Sequence, residues 1–127
     1  MASIFSKIVA GEIPCHRVAE TEDFLAFLDI NPLAEGHTLV IPKREEDYFF
    51  DLTYSEMAGI MTFAKKVANA LQVVVPCARV GVSVIGLEVP HAHVHLIPIN
   101  GIGDMNFSKP KLSVDNTAMT DLAEKVA

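Results

Sequence analysis

Three imidazoles stand at every second position of an otherwise apolar run, His91-Ala92-His93-Val94-His95-Leu96-Ile97. In an extended strand this period sends all three rings to one face and frees Ala92, Val94 and Leu96 to bury themselves on the other. Each ring brings nitrogens that need partners inside a protein, so a purely structural use of all three is the weaker explanation. Metal binding is limited by reach. At about 3.3 Å of rise per residue the outer two α-carbons lie roughly 13 Å apart, whereas zinc holds imidazole nitrogens at about 2.0–2.1 Å. A straight strand therefore offers one ion at most two of these ligands, and the rest must come from elsewhere, notably from His37. The two cysteines, Cys15 and Cys77, are isolated and form no Cys-x-x-Cys pair. What remains is nucleophilic or acid–base use of the middle ring. Neutral imidazole, with an ordinary pKa of about 6.5, is a competent nucleophile near pH 7. Its neighbours can orient it or donate to a bound anion, which makes phosphate the natural electrophile.

The elements that must position this run are read from periodicity and caps. Ser3 is expected to cap a short helix through Ala10, stopped by Gly11, with Phe5, Ile8 and Val9 inward. Residues 16–20 and 24–30 read as strands around the turn Thr21-Glu22-Asp23. In the second, Phe24, Ala26, Leu28 and Ile30 share one face while Leu25, Phe27 and Asp29 share the other, which leaves Asp29 as a carboxylate at the end of an apolar face. A third strand is expected over 37–42, entered through Asn31-Pro32 and Gly36. Thr53 and Glu56 have the spacing of a capping box ahead of a helix from about 55 to 72. Its Met57, Ile60, Met61, Ala64, Val67, Ala68 and Leu71 keep helical spacing and read as core. Pro76 closes that segment, and strands over 78–85 and 91–99 follow, joined through Gly86-Leu87-Glu88-Val89-Pro90. The tail after Gly101 is polar, with a weak helix at about 117–126. Five strands with one long helix between the third and fourth, and no βαβ rhythm, predict an α+β fold with an antiparallel sheet. One domain is expected over 1–127, its core at about 4–100 and its tail at 101–127.

Half of the 127 residues are hydrophobic and a fifth are charged, with a formal net charge of −6. That excludes a disordered chain and suits a compact, oligomer-forming one. Basic residues never run longer than two, so general nucleic-acid binding through counterion release is not expected. A small nucleotide remains compatible, because backbone N–H groups and neutral side chains can hold phosphate without net basicity. No stretch approaches eighteen apolar residues, and Lys7 is not followed by the apolar core of a signal peptide. Neither a membrane span nor a secretory leader is expected, and a reducing cytoplasm is the simpler assumption.

The alternation His-φ-His-φ-His-φ-φ, with φ apolar, resembles the signature of the histidine triad (HIT) nucleotide hydrolases and transferases. Ile4-Phe5-Ser6-Lys7-Ile8-Val9-Ala10-Gly11-Glu12-Ile13-Pro14 is similar to that family's opening, and the stretch from Phe27 to Lys43, with Asp29, Asn31-Pro32 and Gly36-His37-Thr38, resembles its central block. Three motifs in the right order are far more specific than the triad alone. The resemblance implies a HIT-like fold with a five-stranded antiparallel sheet, one long helix and a short N-terminal helix. It further implies pairing of two protomers into a ten-stranded sheet, a purine nucleotide ligand such as AMP, and no cofactor or catalytic metal. By the same resemblance His93 is the nucleophile and His91 and His95 support it, while His37 completes their hydrogen-bond network unless it is simply a strand-start residue. Asp29 accepts ribose hydroxyls unless it is a turn former. Phe5, Ile8, Phe27 and Ile30 wall the base.

The phosphate loop departs from this pattern. Family members commonly carry Asn-x-Gly, a short spacer and then Gly-Gln-[Ser/Thr/Val]-Val ahead of the triad. Here Ser83-Val84-Ile85-Gly86-Leu87-Glu88-Val89-Pro90 is shorter, with Ser83, Leu87 and Glu88 at the approximate Asn, Gln and Ser positions. Ser83, Leu87 and Val89 are the loop residues expected to contact the nucleotide, and Glu88 either protonates the leaving group or repels anions. Ile99 replaces the Arg of the dinucleoside polyphosphate branch, and Ser3 and Ser6 replace the first half of the Cys-based zinc site of some members. The expected function is a phosphoramidase-like nucleotidyl hydrolase, with a catalytically weak nucleotide-binding module and a dinucleoside polyphosphate hydrolase as alternatives.

Overall fold

The computed structural model describes residues 3–127. Its strands are β1 (Arg17–Glu20), β2 (Phe24–Leu28), β3 (Thr38–Pro42), β4 (Arg79–Ser83) and β5 (Val94–Ile99), arranged β1-β2-β3-β5-β4. Every neighbouring pair runs antiparallel. The helices are α1 (Ile4–Val9), α2 (Tyr54–Val74) and α3 (Asn116–Val126). This is the α+β antiparallel architecture that the patterning predicts.

The strand alternation sorts side chains onto two faces with different covers. On one face Phe24, Ala26, Leu28, Val40, Val94 and Leu96 meet Ile60, Phe63, Ala64, Val67 and Leu71 of α2. The start of α2 is set by the predicted capping box, with Thr53 Oγ1 accepting from the Glu56 N–H and Glu56 Oε1 accepting from the Thr53 N–H. Met61, expected inward, is 40% exposed, and Phe63 fills the core in its place. α3 packs against α2 as well. Met119, Leu122, Ala123 and Val126 of α3 close this same core. The stretch expected as a tail beyond residue 101 therefore contributes to the core.

On the other face, Phe5 and Ile8 of α1 cover Leu25, Phe27, Leu39 and Ile41. The expected strand over 91–99 begins only at Val94, and the reason lies in its neighbour. The β3–β5 ladder pairs Thr38, Leu39 and Val40 with Leu96, His95 and Val94, and Pro42, further along β3, has no N–H to extend it. The Ala92 N–H bonds the Glu46 carbonyl instead, at 2.6 Å. His91 and His93 lie ahead of the ladder but keep to the side of His95, since the Phe5 ring meets His91 and His93 edge-on at 5.9 and 5.1 Å. β2 likewise stops at Leu28, so Asp29 and Ile30 fall in the following turn. Gly36, at φ +90°, ends that turn where a Cβ would lie 3.0 Å from Val75 Cγ2 and 3.2 Å from Pro98 Cγ, so a side chain is excluded by both strain and space.

Candidate active site

A chain of hydrogen bonds fixes the tautomer of each triad ring. Nε2 of His91 lies 2.8 Å from the Pro42 carbonyl oxygen, which can only accept, so this nitrogen carries the proton. Nδ1 of His91 then accepts from the Ser3 hydroxyl at 2.8 Å. The carbonyl of His91 accepts from Nδ1–H of His93 at 2.7 Å. His93 is thereby left with its lone pair on Nε2, on a ring that lines the cleft. His37 makes a parallel chain. Its Nδ1 accepts from the Leu33 N–H at 3.0 Å, so its Nε2–H donates to Nδ1 of His95, also at 3.0 Å. His95 must in turn hold its proton on Nε2. The cleft therefore receives an acceptor from His93 and a donor from His95, whose rings stand 4.9 Å apart.

Electrostatics keep the supporting rings neutral. Burial, with the nearby charges of His95, Lys111 and His93, pushes the His37 pKa down to about 3. His95 is pushed down to about 4 by burial and by His93 and Lys111. Burial lowers His91 as well. Asp29 shifts in the opposite sense, raised by burial against the pull of the Asn31 N–H. Its Oδ1 accepts from that N–H at 2.9 Å, and its Oδ2 lies 3.6 Å from His37 Nε2. One oxygen shapes the turn, as the turn-forming use of Asp29 requires, and the carboxylate also lines the cleft.

The cleft, about 270 Å³, has an apolar wall and a polar floor. Phe5, Ile8, Phe27, Ile30 and Val89, all anticipated from sequence, line it together with Asp29, His37, Glu88, His93 and His95. His91 does not line it; fully buried, that ring supports from behind through its carbonyl. Ser83 and Leu87 are also absent from the lining. Ser83 is a β4 residue paired with His95, while Gly86, at φ +76°, turns the loop so that Leu87 is 88% exposed. Among the lining residues that sequence reasoning missed are Leu39, Cys15, Phe107 and Lys111. Leu39 was legible from β3 parity, being two residues from His37. Phe107 and Lys111 sit in a stretch without periodicity, and no local signal announces them.

Two clusters bear on metal binding. One ligand atom each from Asp29, His37 and His95 lie within 4.8 Å of one another. The set is poorly prepared for an ion, because a metal on His37 Nε2 would move the ring proton to Nδ1, facing the Leu33 N–H donor. At the second cluster, Glu45 Oε1 accepts from the Ser6 hydroxyl and the Ser3 N–H, each at 2.6 Å, and Ser3 and Ser6 approach His91 Nδ1. Its hydroxyls offer no thiolate for zinc, and the hydrogen bonds among them are already closed.

Comparison with known proteins agrees with this geometry. The HIT domain model matches residues 10–101. A HIT-like protein of Borreliella burgdorferi whose function is uncharacterized is 36% identical over 122 residues, covering 88% of each chain. An adenosine 5′-monophosphoramidase of Schizosaccharomyces pombe is 41% identical over 103 residues, covering 77% of this chain and 74% of the relative. Among solved structures, a HIT-like protein of Bartonella henselae involved in cell-cycle regulation superposes with a TM-score of 0.85 at 29% identity, covering 98% of this chain and 92% of the other. A zinc-bound histidine triad protein of Mycobacterium smegmatis reaches 0.84 at 27% identity, covering 99% and 93%. With an alternating triad on one sheet face, a fourth histidine bonded to it and a matching domain model over most of its length, the chain belongs to the histidine triad (HIT) family.

Proposed function

We propose that the protein is a nucleotide-binding hydrolase that cleaves a purine nucleoside phosphoramidate, or a related nucleotidyl conjugate, through a covalent nucleotidyl-histidine intermediate. The observation that carries this reading is the His93 tautomer: with Nδ1–H held by the His91 carbonyl at 2.7 Å, the Nε2 lone pair is the free nucleophile. Nε2 attacks the α-phosphorus, the bond from phosphorus to the leaving amine breaks, and the amine departs with a proton taken from solvent, which the attacking water gives back in the second step. The nucleotidyl-imidazole carries a positive ring, whose Nδ1–H remains bonded to the carbonyl. Water then attacks phosphorus, the P–Nε2 bond breaks, and His93 returns as it began. His95 Nε2–H donates to the phosphate oxygens, and its proton is kept there by His37. Asp29 accepts ribose hydroxyls, and the base lies against Phe5, Ile8, Phe27, Ile30 and Val89. The S. pombe phosphoramidase supports the same substrate class.

A second reading rests on Glu88, which lines the cleft. A carboxylate beside a bound phosphate opposes anions, and the chain would then bind nucleotide with little turnover. The assay that separates the two is release of amine from an adenosine phosphoramidate, with mass detection of nucleotidylated His93 after an acid quench. AMP binding without amine release would establish the second reading. The exposed apolar residues Val82, Val84 and Ile85 at the β4 edge support a homodimer joined through that edge, and sedimentation at micromolar concentration tests it. No helix is long and apolar enough to cross a membrane among the described residues, and the free cysteines Cys15 and Cys77 suit the cytoplasmic location we infer.

A further inference from the structure

We propose that Lys111, on the segment that follows the sheet, is the cation that receives the substrate phosphate, standing in for donors that the loop before the triad does not supply. The proposal rests on the nucleotide-hydrolase reading and deepens it. The acids lining the cleft are Asp29 and Glu88, and Lys111 is the one lysine or arginine among its lining residues. His37 and His95 are locked neutral by their hydrogen bonds. Without Lys111, an arriving phosphate would meet two carboxylates and no fixed positive charge. The loop offers no amide side chain between Ser83 and Pro90, and its Ser83 and Leu87 stay out of the cleft.

The segment holding Lys111 is anchored at the imidazole end of the site. A 3-10 turn, Ile102–Met105, follows β5. There Met105 Sδ lies 3.1 Å from where a Cβ on Gly81 would stand, so the bare glycine of β4 admits the methionine. Phe107 then packs edge-on against His95 at 4.7 Å and His37 at 6.2 Å. The Leu112 N–H bonds the Pro32 carbonyl at 2.8 Å, tying the far end to the turn after Asp29. Between these anchors Lys111 Nζ donates to the Phe107 carbonyl at 2.8 Å and lies 5.6 Å from the Phe107 ring. An ammonium has three donors; one is used on that carbonyl, and the others are available to phosphate oxygens beside His95. The reach of its charge is visible in Asp29, His37 and His95, each of whose protonation it biases.

Calorimetric titration with AMP and with adenosine tests the assignment in the wild type, Lys111→Met, Lys111→Arg and, as a control, Lys109→Met, which alters a lysine of the same segment outside the cleft lining. Lys111→Met should weaken AMP about ten- to a hundredfold, the range for a lost charge-assisted hydrogen bond, and leave adenosine unchanged. Lys111→Arg should retain most of the AMP affinity, and Lys109→Met all of it. Undiminished AMP binding by Lys111→Met overturns the proposal. Equal loss of AMP and adenosine also overturns it, because the residue would then only hold the segment in place. A wild-type protein that binds neither probe would overturn the nucleotide reading itself.

Discussion

The two faces of the sheet are built from the same strands and work by different physics. Under α2 and α3, Val94 and Leu96 of β5 join an apolar core in which no contact has a required direction. On the opposite side of the same segment, His91, His93 and His95 are buried almost as completely, and each ring depends on a bond of defined polarity. No buried side-chain nitrogen or oxygen lacks a partner among the described residues. A buried polar network is tolerable only when satisfied throughout, so the histidine face tolerates fewer substitutions than its depth suggests. One face supplies stability, and the other spends its burial on orientation.

The largest effect expected from breaking this contrast is that of His93→Ala, which should lower turnover of an adenosine phosphoramidate by about a thousandfold or more, since the bond-forming atom is removed. AMP affinity should change little, while the melting temperature falls modestly because the His91 carbonyl loses its donor; retained turnover in a clean preparation would reject the covalent mechanism. The complementary change is Ile60→Ala, fully buried under α2. Denaturant unfolding should show a loss of about 2–5 kcal/mol, with AMP affinity of the folded protein preserved. Affinity falling with stability would mean that the faces are not separable.

A third test uses acid. His37 and His95 have folded pKa values of about 3 and about 4, below an unfolded value near 6.5. In that window the unfolded chain binds more protons, so stability must fall as pH drops from about 6.5 towards about 4. Asp29, raised by burial, works the other way at the acidic end. His37→Gln keeps an oxygen to accept from Leu33 and an N–H to offer His95 but cannot titrate, so unfolding measured at pH 7 and pH 5 should show a shallower slope. An unchanged slope would remove His37 from the account. The smallest effect is expected for Glu88→Gln. Loss of a like charge beside the phosphate should tighten AMP severalfold. A fall in turnover, steepest for basic leaving groups, would instead make Glu88 the proton donor, and no change in binding or rate would place it outside the chemistry.

Local signals were strong where the chemistry is local. The triad alternation, the Thr53–Glu56 box and the strand parities that sort Leu25 and Phe27 from Ala26 and Leu28 could all be read along the chain, because periodicity and caps depend on residues a few positions apart. The wall of Phe5, Ile8 and Phe27, by contrast, was implied by the family resemblance alone. Strand ends were less legible. Whether β5 includes His91 and His93 depends on Pro42, about fifty residues earlier in the chain, since an absent N–H matters only once the partner is known.

By itself, then, the sequence determined the antiparallel α+β class, the alternation that puts three imidazoles on one side, and the membership that the motifs announce. Tertiary structure alone decided which ring nitrogen carries each proton, because that depends on carbonyls of Pro42 and His91 and on the N–H of Leu33 meeting the rings in space. It also turned Leu87 outward while keeping Glu88 in the cleft. Finally, it folded a polar stretch with no periodicity back across the sheet, so that Phe107 and Lys111 reach the imidazoles through contacts that no spacing along the chain encodes.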